Sequence, residues 1–282
     1  MRAYRWRFGI EECFMKRSSD SDRRRPVFTL TELLVVMCII AVLATLLLPT
    51  MKAAMMMSKE AYCANNLKSL HEAAHSYCGD YGEKIVAYMM TAPDEVFFHT
   101  LLVDGKYMGS SGPQVFSCPA NIAGNGSGAP AVFGPGKPNY YYSYGMVLDG
   151  PSEDPSTPES VGWSQYLDDD GVPKYVVDAK KCGSPSRQPL FADSVSDDTA
   201  NGEILYATQV YSVMMGSTRW GATSHHVHGR HGGKANAVYV DGHGVPAFST
   251  DFKTFLKEDC GYTGQYRFFT DPFPFFVVVG VD

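Results

Sequence analysis

One acidic residue stands where a charge is costly. Glu32 lies inside the apolar run Phe28–Leu48, FTLTELLVVMCIIAVLATLLL. An unpaired carboxylate there costs on the order of 2.5–3.5 kcal/mol on insertion scales. Glu32 is near enough to the edge of the run to snorkel toward the headgroups, or it can meet a cation. A cut between Val27 and Phe28 would create one, because an α-amino group with a pKa of about 7.7–8.0 is largely protonated. Along one straight helix the two groups sit about one turn apart. Between staggered neighbouring helices they could neutralise each other.

Other constellations are weaker. His225, His226, His228, His231 and His243 are five of the eight histidines, and Asp241 lies beside the last of them. His-x-His spacing with a carboxylate can ligate zinc or copper. The set lacks the HExxH spacing of a helical hydrolase, and Gly229, Gly232 and Gly233 predict a flexible loop. Asp168-Asp169-Asp170-Gly171 lacks the alternating acids and final Glu of an EF-hand, and reads as a solvated acidic turn. No P-loop, GxSxG or triad is present. The expectation is a non-enzyme without metal or cofactor.

Of seven cysteines, Cys13 precedes the apolar run and Cys38 lies within it. Cys63, Cys78, Cys118, Cys182 and Cys260 are an odd number, so at least one is free or pairs between chains. Cys63 and Cys78 are about 22 Å apart on a helix and cannot pair with each other. A Cys63–Cys118 disulfide is expected.

The positioning elements follow from charge and periodicity. The chain has 282 residues and a net charge of −6, which excludes a general basic surface for nucleic acid. Residues 1–27 carry eight Lys/Arg against four acids, a net of +4, leaving −10 on the rest. The apolar run of 21 residues spans roughly 31 Å as a helix, about the thickness of a bilayer core. With Arg23, Arg24 and Arg25 just before it, the positive-inside rule predicts a cytoplasmic N-terminus and an external acidic body. The expected location is the inner membrane, in contact with its lipid bilayer and crossing it once. The helix is predicted to continue past Pro49, with a bend there, to Cys78, about 75 Å in all. Cys63, Leu67, Leu70, Ala74 and Tyr77 form one apolar stripe to pack on a sheet.

Beyond it, a helical turn is predicted at Phe97–Leu102. Strands are predicted at 114–116, 139–144, 172–177, 189–192, 204–213, 235–240 and 275–281. The tyrosines Tyr140, Tyr141, Tyr142 and Tyr144 either cover a sheet or form a sugar platform. Asp241-Gly242 reads as a hairpin turn in which Asp241 bonds the backbone and Gly242 takes positive φ, with His231 tying the preceding loop to it. The organisation expected is a leader 1–27, a transmembrane helix 28–48, its amphipathic continuation 49–79, and a β-rich external domain 80–282.

The segment Arg24-Arg25-Pro26-Val27-Phe28-Thr29-Leu30-Thr31-Glu32-Leu33-Leu34 resembles the processing signal of type IV pilins and type II secretion pseudopilins. Counting from Phe28, Glu32 is fifth and Pro49 twenty-second, as in many pilins. Val27 stands where that family normally has Gly, and Met15 offers a more typical start than Met1. The resemblance implies cleavage between Val27 and Phe28 by a prepilin peptidase and N-methylation of Phe28. It also implies a role for Glu32 in assembly with other pilin or pseudopilin subunits and the inner-membrane assembly machinery. A second resemblance lies in His231, nine residues, then Asp241-Gly242. With Asn65-Asn66-Leu67-Lys68, Phe116-Ser117-Cys118-Pro119, Ser143-Tyr144-Gly145 and Leu190-Phe191-Ala192-Asp193, it is similar to a processing-associated domain found behind such signals in planctomycete-like bacteria. The implied fold is pilin-like α+β: a long N-terminal helix on an antiparallel sheet with long loops. The rival expectation is an uncleaved, membrane-anchored envelope protein that binds glycan or acts as a metal-dependent enzyme.

Overall fold

The computed structural model describes residues 28–82, 84–91, 94–109, 113–116, 118–120, 144–147, 163–167, 173–182, 184–196, 199–200, 203–204, 212–213, 225–259, 265–270 and 276–280. Val27 and the leader, residues 121–143 with the first three tyrosines, and the acidic turn 168–171 lie outside that set, so the expectations placed on them do too. The chain divides into two compact units, Met1–Thr50 and Met51–Asp282.

A single helix, α1 (Leu30–Asp80), runs through Pro49 and covers 51 residues. It is long and apolar enough to cross a membrane. Its large apolar side chains from Leu30 through Met57 are exposed. The character then changes. Cys63, Leu67, Leu70, Ala74 and Tyr77 recur at helical spacing on one face and are all buried. They join Phe97, Phe98, Phe116, Tyr144, Met146, Phe191 and Val238 in one core. Each fully buried side chain such as Leu70 contributes about 1.5–3 kcal/mol. Tyr77 stacks on Tyr81 at 4.4 Å and meets Tyr107 edge-on at 5.3 Å, while the Tyr107 hydroxyl donates to Asp80 at 2.7 Å.

Among the described residues, the body holds three sheets and a small hairpin. The first sheet is built from β1 (Lys84–Thr91), β2 (Asp94–Phe97), β4 (Trp163–Leu167) and β5 (Pro173–Asp178), in the order β2-β1-β5-β4 and antiparallel throughout. The second has β3 (Gly145–Val147), β6 (Pro189–Ala192), β10 (Ser212–Val213), β12 (Ala235–Tyr239) and β13 (Gly244–Ala247), in the order β10-β3-β6-β12-β13. The third has β7 (Ser194–Ser196), β11 (His225–Gly229), β14 (Gln265–Thr270) and β15 (Phe276–Gly280), in the order β15-β14-β11-β7. The hairpin pairs β8 (Thr199–Ala200) with β9 (Glu203–Ile204). Pairing is antiparallel except for β10 with β3 and β11 with β14. The fold is therefore α+β, a long N-terminal helix with largely antiparallel sheets.

The second sheet separates two cores by the alternation of its strands. Met146, Phe191 and Val238 face the core shared with α1. Val147, Ala192, Ala237 and Tyr239 face a second core with Val227, Phe268 and the Phe252, Phe255 and Leu256 side chains. Phe252 belongs to α3 (Ser249–Thr254), and a wider turn follows at Phe255–Asp259. Leu190 breaks the alternation and joins Phe191 in the first core. The register supplies the reason: Val238 pairs Phe191 but Tyr239 pairs Pro189, so Leu190 is the extra residue of a bulge.

Two local expectations differ from the structure, and a third is met with shifted bounds. Residues 114–116 form a 3-10 turn, Pro113–Phe116, not a strand, with Pro113 at the first position, where a missing N–H costs nothing. The helical turn near 97 is α2, Phe98–Asp104. The His-rich segment is not a flexible loop, because His225–Gly229 is a strand held between β14 and β7. Its glycine is a close-approach residue. A Cβ on Gly229 would lie 2.7 Å from the Phe268 ring and 2.9 Å from the Gly233 backbone.

Candidate functional site

Three places hold residues singled out by sequence: the start of α1, a buried cluster in the body and the turn at Asp241-Gly242. At the start of α1, Glu32 Oε2 accepts the Thr29 backbone N–H at 2.8 Å and the Thr29 hydroxyl at 2.7 Å. In return, the Glu32 backbone N–H donates to Thr29 Oγ1 at 3.3 Å. This is a reciprocal capping box, which satisfies donors that a helix start leaves orphaned. Sequence reasoning missed it, although Thr-x-x-Glu before an apolar run is its signature. Phe28, Thr31, Glu32, Val35 and Val36 line a shallow exposed groove on the same stretch.

The second place is buried in the body. There Cys63 of α1 is joined to Cys118 by a disulfide with a Cα–Cα distance of 5.2 Å. His231 Nε2 lies 3.6 Å from Cys118 Sγ and 3.3 Å from Asp193 Oδ2. The Asn236 backbone N–H donates to the same carboxylate oxygen at 2.8 Å. Arg230 Nε approaches Asp193 Oδ1 at 3.8 Å, and Arg230 Nη2 donates to the Ser194 carbonyl. Asp193 and Arg230 are both buried. A buried charge is tolerated only when balanced, and here the pair balances itself.

Chain geometry explains the convergence. Asp193 is the single residue between β6 and β7, where the chain leaves one sheet for another. Its backbone N–H donates to the Asn236 carbonyl at 3.0 Å, and its carbonyl accepts from His228 at 2.9 Å. His231 lies in the turn between β11 and β12, which needs positive φ at Gly232 (67°) and Gly233 (84°). Tyr144 leads into β3. Its hydroxyl donates to the Cys63 carbonyl at 3.4 Å, and burial pushes its pKa well above the ordinary value. Glu60 of α1 accepts from Asn236 Nδ2 through its carbonyl at 3.4 Å and faces Lys234 Nζ at 3.8 Å. The cluster thus ties α1 to two sheets. Among the described residues, Cys63, Cys118, Asp193 and His231 are the His/Cys/Asp/Glu group whose donor atoms converge, all within 4.8 Å of one another.

Asp241 and Gly242 form the turn between β12 and β13. The Gly242 N–H donates to the Tyr239 carbonyl at 2.9 Å, and Gly242 has φ 89°. Asp241 Oδ1 accepts the His243 backbone N–H at 3.1 Å and bonds the His243 ring. Partial burial pushes the Asp241 carboxyl up, but these bonds from His243 hold it below the usual carboxylate range. The His231 ring faces Cys118 and Asp193, not this turn. The tie is His71 of α1, whose Nε2 meets the Val240 carbonyl at 3.1 Å. The histidines therefore do not act as one set: His226 and His228 are buried in β11, and His243 is exposed.

No known protein family, curated protein or solved structure matches this chain.

Proposed function

We propose that the protein is a prepilin-like structural subunit of a type IV pilus or type II secretion-like filament. In this reading a prepilin peptidase cuts between Val27 and Phe28, and Phe28 is N-methylated. One observation carries the proposal: a single helix is apolar and exposed over its first half, yet buries a one-sided stripe in the body over its second. A membrane anchor needs the first feature alone. A subunit that moves from a bilayer into a bundle of like helices needs the apolar segment and the body-packing stripe on one continuous helix as well, as Leu30–Asp80 provides. The capping box does not compete with the charge role, because a carboxylate holding two hydrogen bonds keeps lone pairs for a neighbour's amine. In lipid, such polar pairs give helices register that apolar packing does not. The pilin-like fold, an inner-membrane location with a cytoplasmic N-terminus, and contacts with other subunits and the assembly machinery all belong to this proposal.

The test is fractionation of the native host. Shearing followed by sedimentation should place the chain in a filament fraction. Retention solely in the membrane, with no polymeric form, overturns the reading in favour of a monomeric anchor.

A further inference from the structure

We infer that Cys63, Cys118, Asp193 and His231 form a zinc-binding site whenever the two cysteines are thiols. A disulfide alone needs neither an imidazole nor a carboxylate beside it, yet His231 and Asp193 are buried with a donor atom of each within 4.8 Å of both sulfurs. The donor set of two sulfurs, one imidazole nitrogen and one carboxylate oxygen suits tetrahedral zinc.

The spacing agrees with that geometry. Ordinary zinc bond lengths at tetrahedral angles put a sulfur and a nitrogen about 3.5 Å apart, and a nitrogen and an oxygen about 3.4 Å apart. His231 Nε2 stands 3.6 Å from Cys118 Sγ and 3.3 Å from Asp193 Oδ2. All four donor atoms lie within 4.8 Å of one another; ligation requires the sulfurs to separate to about 3.8 Å, which reduction permits, and the other pairs to settle near about 3.5 Å.

Charge agrees as well. Two thiolates and the Asp193 carboxylate against one zinc ion and the Arg230 guanidinium, 3.8 Å from that carboxylate, leave the cluster neutral, as a buried site requires. The outer partners expected of a metal site are present. Asn236 donates its backbone N–H to the ligating carboxylate, and Asp193 Oδ1 accepts no hydrogen bond among the described residues, leaving it to Arg230.

Binding transfers no electrons. Two thiols become two thiolates, zinc takes both, and two protons leave to solvent. From the disulfide form, a dithiol reductant first supplies two electrons and two protons and is itself oxidised to a disulfide. Disulfide and zinc are thus alternative cross-links between α1 and the body at one place. The inference does not depend on filament assembly.

The experiment uses the full chain in detergent, reduced with a phosphine that is then removed without air, and titrated with cobalt and then zinc. One cobalt per chain should bind with the visible bands of a tetrahedral site and thiolate charge transfer. Zinc should displace it, because d10 zinc loses no ligand-field stabilisation on entering a tetrahedral site and cobalt does. The oxidised protein should bind none. Zinc should slow alkylation of Cys63 and Cys118 in the unmutated reduced chain by at least about tenfold, without protecting Cys78 or Cys182. His231→Ala and Asp193→Asn should each weaken cobalt binding by more than about tenfold. Absence of binding, equal binding by the oxidised chain, protection of Cys78 and Cys182 instead, or indifference to both variants would overturn the site.

Discussion

Glu32 and Thr29 cap each other at the start of α1, the carboxylate accepting Thr29 N–H at 2.8 Å while Glu32 N–H returns to the Thr29 hydroxyl. Removing Glu32 therefore removes two things, a charge and a cap. Glu32→Gln keeps an acceptor for Thr29 but abolishes the charge. Both Glu32→Ala and Glu32→Gln should insert into membranes normally and fail to enter filaments. Only Glu32→Ala should also fray the first turn, by about 1 kcal/mol, read as faster amide exchange at residues 30–33. Normal incorporation of Glu32→Gln would show that the charge has no role in assembly.

The Cys63–Cys118 bond closes a loop with a sequence separation of 55. The chain-entropy argument gives such a loop about 4 kcal/mol of stabilisation. The double variant Cys63→Ala/Cys118→Ala should lose stability of that order in denaturant unfolding. Non-reducing peptide mapping of the unmutated chain should recover the two cysteines in one linked peptide pair.

Gly242 is confined twice over. Its φ is 89°, and a Cβ there would lie 2.8 Å from His71 Cε1. Gly242→Ala should destabilise the body by about 1–2 kcal/mol from backbone strain, with a further loss from the contact. In a His71→Ala background the same change should cost less, because only the strain remains. A double-mutant cycle read by thermal unfolding measures the difference. Strict additivity would remove His71 as the residue that braces the turn.

Burial pushes His99 down to about 3, and burial also lowers His71. Each has a folded-state pKa below its unfolded value, so the unfolded chain takes up protons that the folded chain refuses. Stability should be full above about pH 6.5 and fall as pH drops from there toward 3, by at most about 1.4 kcal/mol per pH unit for each group. His99 packs against Phe97, Phe98 and Phe116. His99→Phe should flatten the acid limb of a thermal-stability profile, and an unchanged limb would contradict the assignment.

The long apolar helix was legible because residues 28–48 are apolar on nearly every face, a pattern that needs no partner to read. So was the stripe from Cys63 to Tyr77, since its period is that of the helix itself. The β12–β13 hairpin shows in an apolar strand closed by Asp241-Gly242. Strand β11 was not legible, because His225-His226-Val227-His228-Gly229 has weak strand propensity and is held by pairing with distant β14 and β7. The two parallel pairings, β10 with β3 and β11 with β14, leave no local trace either. In the buried cluster, His231 is separated from Cys118 by 113 positions. Nothing in the spacing of either says that Asp193 and Arg230 will meet them. Asp193 stands out only after the chain is seen to change sheets there.

The first residue of the mature chain distinguishes a filament subunit from an uncleaved anchor. Intact mass and N-terminal sequencing of protein taken from native membranes should give N-methylated Phe28 as the first residue, with residues 1–27 absent. A mature chain that retains its basic leader, starting at Met1 or Met15, would contradict the filament role.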